Sequence, residues 1–197
     1  MSVLARATVG GYRLWVRARN RGFSLLSSGA FAEFGTHTVI ELPVRLTGER
    51  RIALGSRVFV GANAWLQVLD HEEGGNDVAI RIGDDCGFAG GSVISAVKSI
   101  TIGSHVNLAR NCYIADHTHA YQDVTSDIAS QGLTDIRPVT LEEGVWLGEN
   151  VVVLPGVTIG RGSVVGANSV VNVSLPEYCV AIGVPARIVR RFGPDEQ

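Results

Sequence analysis

Hydrophobic residues recur along the second half of this chain with a period of six. Leu141, Leu147, Val153, Ile159, Val165 and Val171 are aliphatic, and a small or β-branched residue stands four positions after each of the first five: Val145, Val151, Val157, Ser163 and Ser169. Gly148, Gly160 and Gly166 follow their aliphatic neighbours directly. An amphipathic helix repeats at 3.6 and a half-buried strand at 2, so neither explains six. The same register runs upstream in threes. Ile102, Leu108 and Ile114 go with Val106 and Cys112; Ile82, Phe88 and Ile94 go with Cys86 and Ser92. Leu54, Val60 and Leu66 precede them, and Phe34, Ile40 and Leu46 open the series more weakly. Three hexads close one triangular coil, so the pattern predicts an all-β fold, a parallel β-helix of about six coils. At about 4.8 Å per strand the prism is roughly 30 Å long. The large aliphatic points inward with the small residue beside it, and a glycine or polar pair turns the corner. Each coil leaves its edges for the next to cover, so stability comes from stacking.

Breaks in a repeat must leave the prism as loops. Leu69–Asp77 is one excursion and residues 117–138 form a longer one, the kind of loop that carries function. Before the prism, Tyr12–Arg21 (YRLWVRARNR) is a short basic segment, compatible with a helix. It suits either a cap over the first coil's open edge or docking on a membrane or lipid-linked acceptor, with any membrane contact at most peripheral. The expected organisation is an N-terminal segment over residues 1–30, the β-helix over 31–174, and a C-terminal cap over 175–197.

Composition narrows the function classes. Lys and Arg number 17 against 19 Asp and Glu, a net charge of −2, which gives no footprint for nucleic acid. The chain is 46% hydrophobic but only 7% aromatic, with 24 glycines, which favours a turn-rich β core over a helical bundle. Cys86, Cys112 and Cys179 are scattered, without a CxxC pair, and argue against a disulfide framework or a cysteine zinc site. Arg6 and Arg13 interrupt the apolar character of Val3–Val16, so no signal peptide is expected. A reducing cytoplasm fits these features.

The runs IGSHVNLARNCYIADHTHAY, PVTLEEGVWLGENVVVLPGVTIGRGSVVGANSVV and GVPARIV resemble the hexapeptide-repeat acetyltransferases, over roughly residues 50–192. The resemblance implies left-handed winding, against the usual crossover preference, and a homotrimer that binds acetyl-CoA between adjacent prisms. It implies transfer of the acetyl group to a sugar or glycan-precursor hydroxyl, as in polysaccharide biosynthesis, with no metal. Counted without gaps from IGSHV, the family's general base falls on His119, with His117 two residues away as the alternative. A hydroxyl is a poor nucleophile until a base takes its proton, and an imidazole can do so near neutral pH. Asp116 suits either holding a histidine tautomer or a plain turn. The positions matching coenzyme contacts are Trp146, Gly148, Glu149 and Ala167, with Arg187 and Arg190 for the phosphates. Two departures stand out. Val173 replaces a common lysine, and Ala89 and Val97 occupy positions where galactoside-type members place Asn and Asp. The second departure points away from a galactoside acceptor, towards another glycan precursor.

Two other classes compete. A γ-type carbonic anhydrase shares this prism and binds zinc through three histidines; here His117 and His119 would need His71 or His105 as a third. A non-catalytic repeat scaffold is the other. His37 and His105 fall at hexapeptide turns and read as surface residues, and His71 as a residue of the acidic excursion.

Overall fold

The computed structural model describes residues 3–75 and 77–193. Its prism is a left-handed parallel β-helix. The first face stacks Glu33–Phe34, Ile52–Leu54, Ile80–Ile82, Ile100–Ile102, Val139–Leu141 and Thr158–Ile159. The second face stacks Val39–Ile40, Phe59–Val60, Gly87–Phe88, Asn107–Leu108, Trp146–Leu147 and Val164–Val165, and the third runs from Arg45–Thr47 to Val170–Val171. Six strands on each of the first and third faces make six coils, the number that the hexads predicted.

The reason is visible in the core. Leu141, Leu147, Val153, Ile159, Val165 and Val171 are all fully buried, as are Ile40, Val60, Leu66, Ile80 and Ile94 in earlier coils. The small position also points inward, and where it is polar it bonds the neighbouring coil. The Cys86 thiol donates to Gly103 O at 3.1 Å, the Cys112 thiol to Gly148 O at 3.3 Å, and the Ser92 hydroxyl to Ala109 O at 3.5 Å. Corners require left-handed backbone, which Asn and Gly tolerate best. Asn111, Asn150 and Asn168 all have φ near +60° and form an amide ladder down one edge, with Asn150 Nδ2 donating to Asn168 Oδ1 at 2.9 Å.

The two ends are closed by different means. The basic segment is part of a much longer element than its sequence pattern suggested: a helix, α1, spans Val3–Ser27. Its last turns lie on the first coil, where the N–H groups of Val39 and Glu41 donate to the second coil but those of Ile40 and Leu42 point away from it, towards the helix. Ser24 Oγ accepts from Ile40 N–H at 2.9 Å and Asn20 Oδ1 from Leu42 N–H at 3.3 Å, so two side chains replace the missing strand. At the far end Cys179–Ile182 adds in parallel to Val164–Val165, and Arg187–Arg191 returns antiparallel beside it. Ser163 and Ser169, the small residues of the last coil, accept from Cys179 N–H at 3.1 Å and Gly183 N–H at 3.0 Å.

Candidate functional site

The long excursion leaves the third face after Tyr113–Ala115 and returns to the first face at Val139. Asp116 sits at its mouth, fully buried. One carboxylate oxygen accepts from Val97 N–H at 2.8 Å and lies 2.9 Å from His117 Nδ1; the other accepts from Lys98 and Ser99 N–H, both at 2.7 Å. Burial pushes this carboxyl upward, but the imidazole and three amide donors outweigh it and hold Asp116 below the ordinary carboxylate range. The Asp116 carbonyl also accepts from Arg137 N–H at 2.8 Å, which ties the end of the excursion to its start.

His117 is only 7% exposed. With Nδ1 on Asp116, its Nε2 lies 3.4 Å from Ser95 Oγ, which in turn accepts from Gln67 Nε2 at 2.7 Å. Gln67, Ser95 and Ala115 stand in register on successive coils, so this polar chain runs down the third face. His119 differs in every respect. It is exposed, on a two-residue ribbon that pairs Thr118–His119 with Leu133–Thr134, and its ring makes no hydrogen bond among the described residues. Beyond it, Tyr121, Val124 and Ile128 are exposed apolar side chains.

The coenzyme-type positions gather elsewhere, on the second face of the last two coils. Trp146, Val164 and Val180 stand in register, and Arg190 pairs with Val180 in the returning strand. Arg187 pairs with Ile182 and the buried-side Ile188 with Ala181. Two residues three apart would normally face opposite sides of a strand. The register shift between Val180 and Ala181 inserts one residue, and both arginines emerge on the outer side with Trp146. Trp146 is 53% exposed and borders a shallow groove of about 310 Å³ with Phe59 and Ala89. Glu149 and Ala167 are exposed at the adjoining corner. Gly148 has a packing reason of its own: a Cβ there would lie 2.6 Å from Ala167 N, so the next coil's backbone needs that space.

Thus the structure brings Trp146, Gly148, Glu149, Ala167, Arg187 and Arg190 to one side of the prism. It leaves His117 and His119 on another, at the junction of the third and first faces. Of the two acceptor-type positions, Ala89 borders the groove, whereas Val97 is fully buried with its N–H on Asp116. Sequence reasoning missed Gln67 and Ser95. Ser95 was visible only as a small residue after Ile94, and its hydroxyl gains meaning from His117, 22 residues away.

The remaining candidates are ordinary. His37 and His105 are exposed corner residues with φ of 62° and 60°. His71 Nδ1 accepts from Glu73 N–H at 3.2 Å and caps the short turn Glu72–Gly74. All three cysteines are buried, and burial pushes the Cys86 and Cys112 thiols up to about 11. Among the described residues no group of three His, Cys, Asp or Glu converges as a metal site.

Residues 138–172 match the bacterial transferase hexapeptide (six repeats) family. An Escherichia coli K12 protein named for colanic acid biosynthesis acetyltransfer, WcaF, is 32% identical over 186 residues, 94% of this chain and 82% of that protein. The galactoside O-acetyltransferase of the same organism is 35% identical over 146 residues, 73% of this chain and 70% of its own. Two other curated relatives match over only 37% and 54% of their length, so this chain spans about half of them or less. Among solved structures, a hexapeptide-repeat acetyltransferase of Vibrio cholerae complexed with acetyl coenzyme A superposes with a TM-score of 0.55 at 26% identity, covering 86% of this chain and 75% of that one. A repeat of this period, wound in six coils and matched almost end to end by WcaF, makes this chain a member of the hexapeptide-repeat acetyltransferase family.

Proposed function

We propose that this protein is an acetyl-CoA-dependent O-acetyltransferase acting on the hydroxyl of a sugar or glycan precursor in the cytoplasm, with its active sites between the subunits of a homotrimer. One observation carries the reading. The histidines and the Trp146–arginine row lie on different sides of one prism, so a donor held along that row reaches an imidazole only when a second prism packs alongside. The V. cholerae relative, solved with acetyl coenzyme A, supports the choice of donor, and WcaF and the galactoside enzyme, by their names, support a glycan acceptor. The residues fit such a donor: Arg187 and Arg190 offer guanidinium groups for phosphates, Trp146 an exposed flat ring, and Glu149 and Ala167 an open corner.

His119 acts as the general base in this reading. A base must reach the proton it removes, and His117 has one nitrogen on Asp116 and the other facing Ser95 inside the wall. The clamp at His117 fixes the base of the ribbon on which His119 projects. His119 takes the hydroxyl proton as the acceptor oxygen attacks the thioester carbonyl, and returns it to the sulfur as the C–S bond breaks. No covalent enzyme intermediate is needed, and the buried, protonated Cys86 and Cys112 offer no nucleophile. The test is acetyl transfer from acetyl-CoA to a panel of nucleotide- and lipid-linked sugars, with light scattering of the free protein. Transfer by a trimer supports the reading; acetyl-CoA that neither binds nor turns over with any acceptor overturns it.

A further inference from the structure

The N-terminal half of α1 is open to solvent. Every described residue from Val3 to Trp15 is exposed, a stretch of about 20 Å at 1.5 Å per residue. The prism contacts come later, through Asn20, Phe23 and Ser24. At about 100° per residue, Arg6, Arg13, Arg17 and Arg21 fall within one arc of about 80°. Leu4, Trp15, Leu25 and Leu26 lie on the side turned away from the prism, with Tyr12 at one margin and Leu14 at the other, where it borders a cleft shared with Val39 and Phe59; all six are exposed. The Tyr12 and Trp15 rings sit 6.2 Å apart.

Charge is distributed just as unevenly. The helix holds five of the 17 basic residues and none of the 19 acidic ones, so it carries +5 while the rest of the chain is net −7. A helix with an apolar face, aromatic residues on that face and an arginine row beside it has the make-up of one that lies in a membrane interface. No helix among the described residues is long and apolar enough to cross a membrane. Self-association through this face fits less well. Its central row reads Leu4, Gly11, Ala18, Leu25, too small at two of four steps for a helix seam, and an antiparallel symmetric pair would bring arginine rows together.

We propose that the outward face of α1 docks on an anionic phospholipid membrane, laying the prism against that surface. The proposal stands apart from the acetyl-transfer reading, since it is tested without substrate. The 197-residue chain is floated with phosphatidylcholine vesicles containing about one third phosphatidylglycerol, and with phosphatidylcholine alone. Binding is expected to the anionic vesicles, and to weaken by about tenfold or more on neutral ones, at high salt, or in the Arg13→Glu/Arg17→Glu variant. Leu4→Ser/Trp15→Ser is expected to lose binding to a similar extent while still unfolding cooperatively, since Trp15 meets the prism only through Arg19, which lies over its ring and donates to Leu42 O. Absence of anionic vesicle binding, or equal binding by both double variants, overturns the proposal. So does a fall in oligomeric state of Leu4→Ser/Trp15→Ser in lipid-free solution, which would give the face to a second copy.

Discussion

Two imidazoles two residues apart have been given opposite lives by their neighbours. Asp116 and Ser95 hold His117 inside the wall, while His119 stands free. His119→Ala is therefore expected to lower turnover by about two orders of magnitude or more with acetyl-CoA affinity nearly unchanged, measured by steady-state kinetics and titration calorimetry. His117→Ala should instead lower the thermal midpoint; loss of turnover there, with His119→Ala active, would move the base into the wall. Asp116 bears on stability as well. Its carboxyl titrates below the ordinary range, so its contribution is complete above about pH 4, the unfolded value, and fades as pH falls through the native one. Asp116→Asn sets an NH₂ group against at least one amide donor, Val97 N–H, and should cost about 2 kcal/mol at pH 7, with the gap to the parent closing under acid in denaturant melts. Cys86 and Cys112 should resist alkylation until the protein unfolds, since burial keeps both thiols protonated.

Among the elements, the coil turn is the least forgiving. Gly148 faces the amide nitrogen of Ala167 and Gly61 the backbone of Phe88 and Gly90, so an added methyl group meets main chain that cannot swing aside. Gly148→Ala is expected to cost about 1–3 kcal/mol, seen as a lower thermal midpoint; an unchanged midpoint would mean that the stack breathes more than its spacing implies. The helix belongs to this scale too. Ser24 and Asn20 finish the hydrogen bonding of the first coil, and Ser24→Ala strands the Ile40 amide, at a cost of about 1–3 kcal/mol. That anchoring explains how one helix can serve the prism with its last turns and present a different face with its first.

For the whole molecule, the decisive feature is the separation of the two groups of candidate residues. On the proposed reading the Trp146–arginine row holds the coenzyme on one side of the prism and the histidines stand on another, so a partner subunit is needed to unite them. Mixing His119→Ala subunits with Arg187→Ala/Arg190→Ala subunits should then restore part of the lost activity, because some interfaces receive both intact halves. Absence of any recovery after subunit exchange would place the whole site within one chain.

Period, coil number and the inward direction of each hexad were legible in the sequence, because every coil repeats the same local choice and a six-residue step leaves one residue type facing in. The excursions were legible as interruptions of that step, and the family's motif pointed to His119, His117 and the Trp146 turn. What only the tertiary structure decided depends on residues far apart in the chain. Asp116 reaches the amides of residues 97–99, Ser24 replaces a strand beside Ile40, and a slip between Val180 and Ala181 turns Arg187 and Arg190 to the same side. None of these has a period, since each is settled by which backbone groups the stacked coils leave unpaired and which side chain lies near enough to satisfy them.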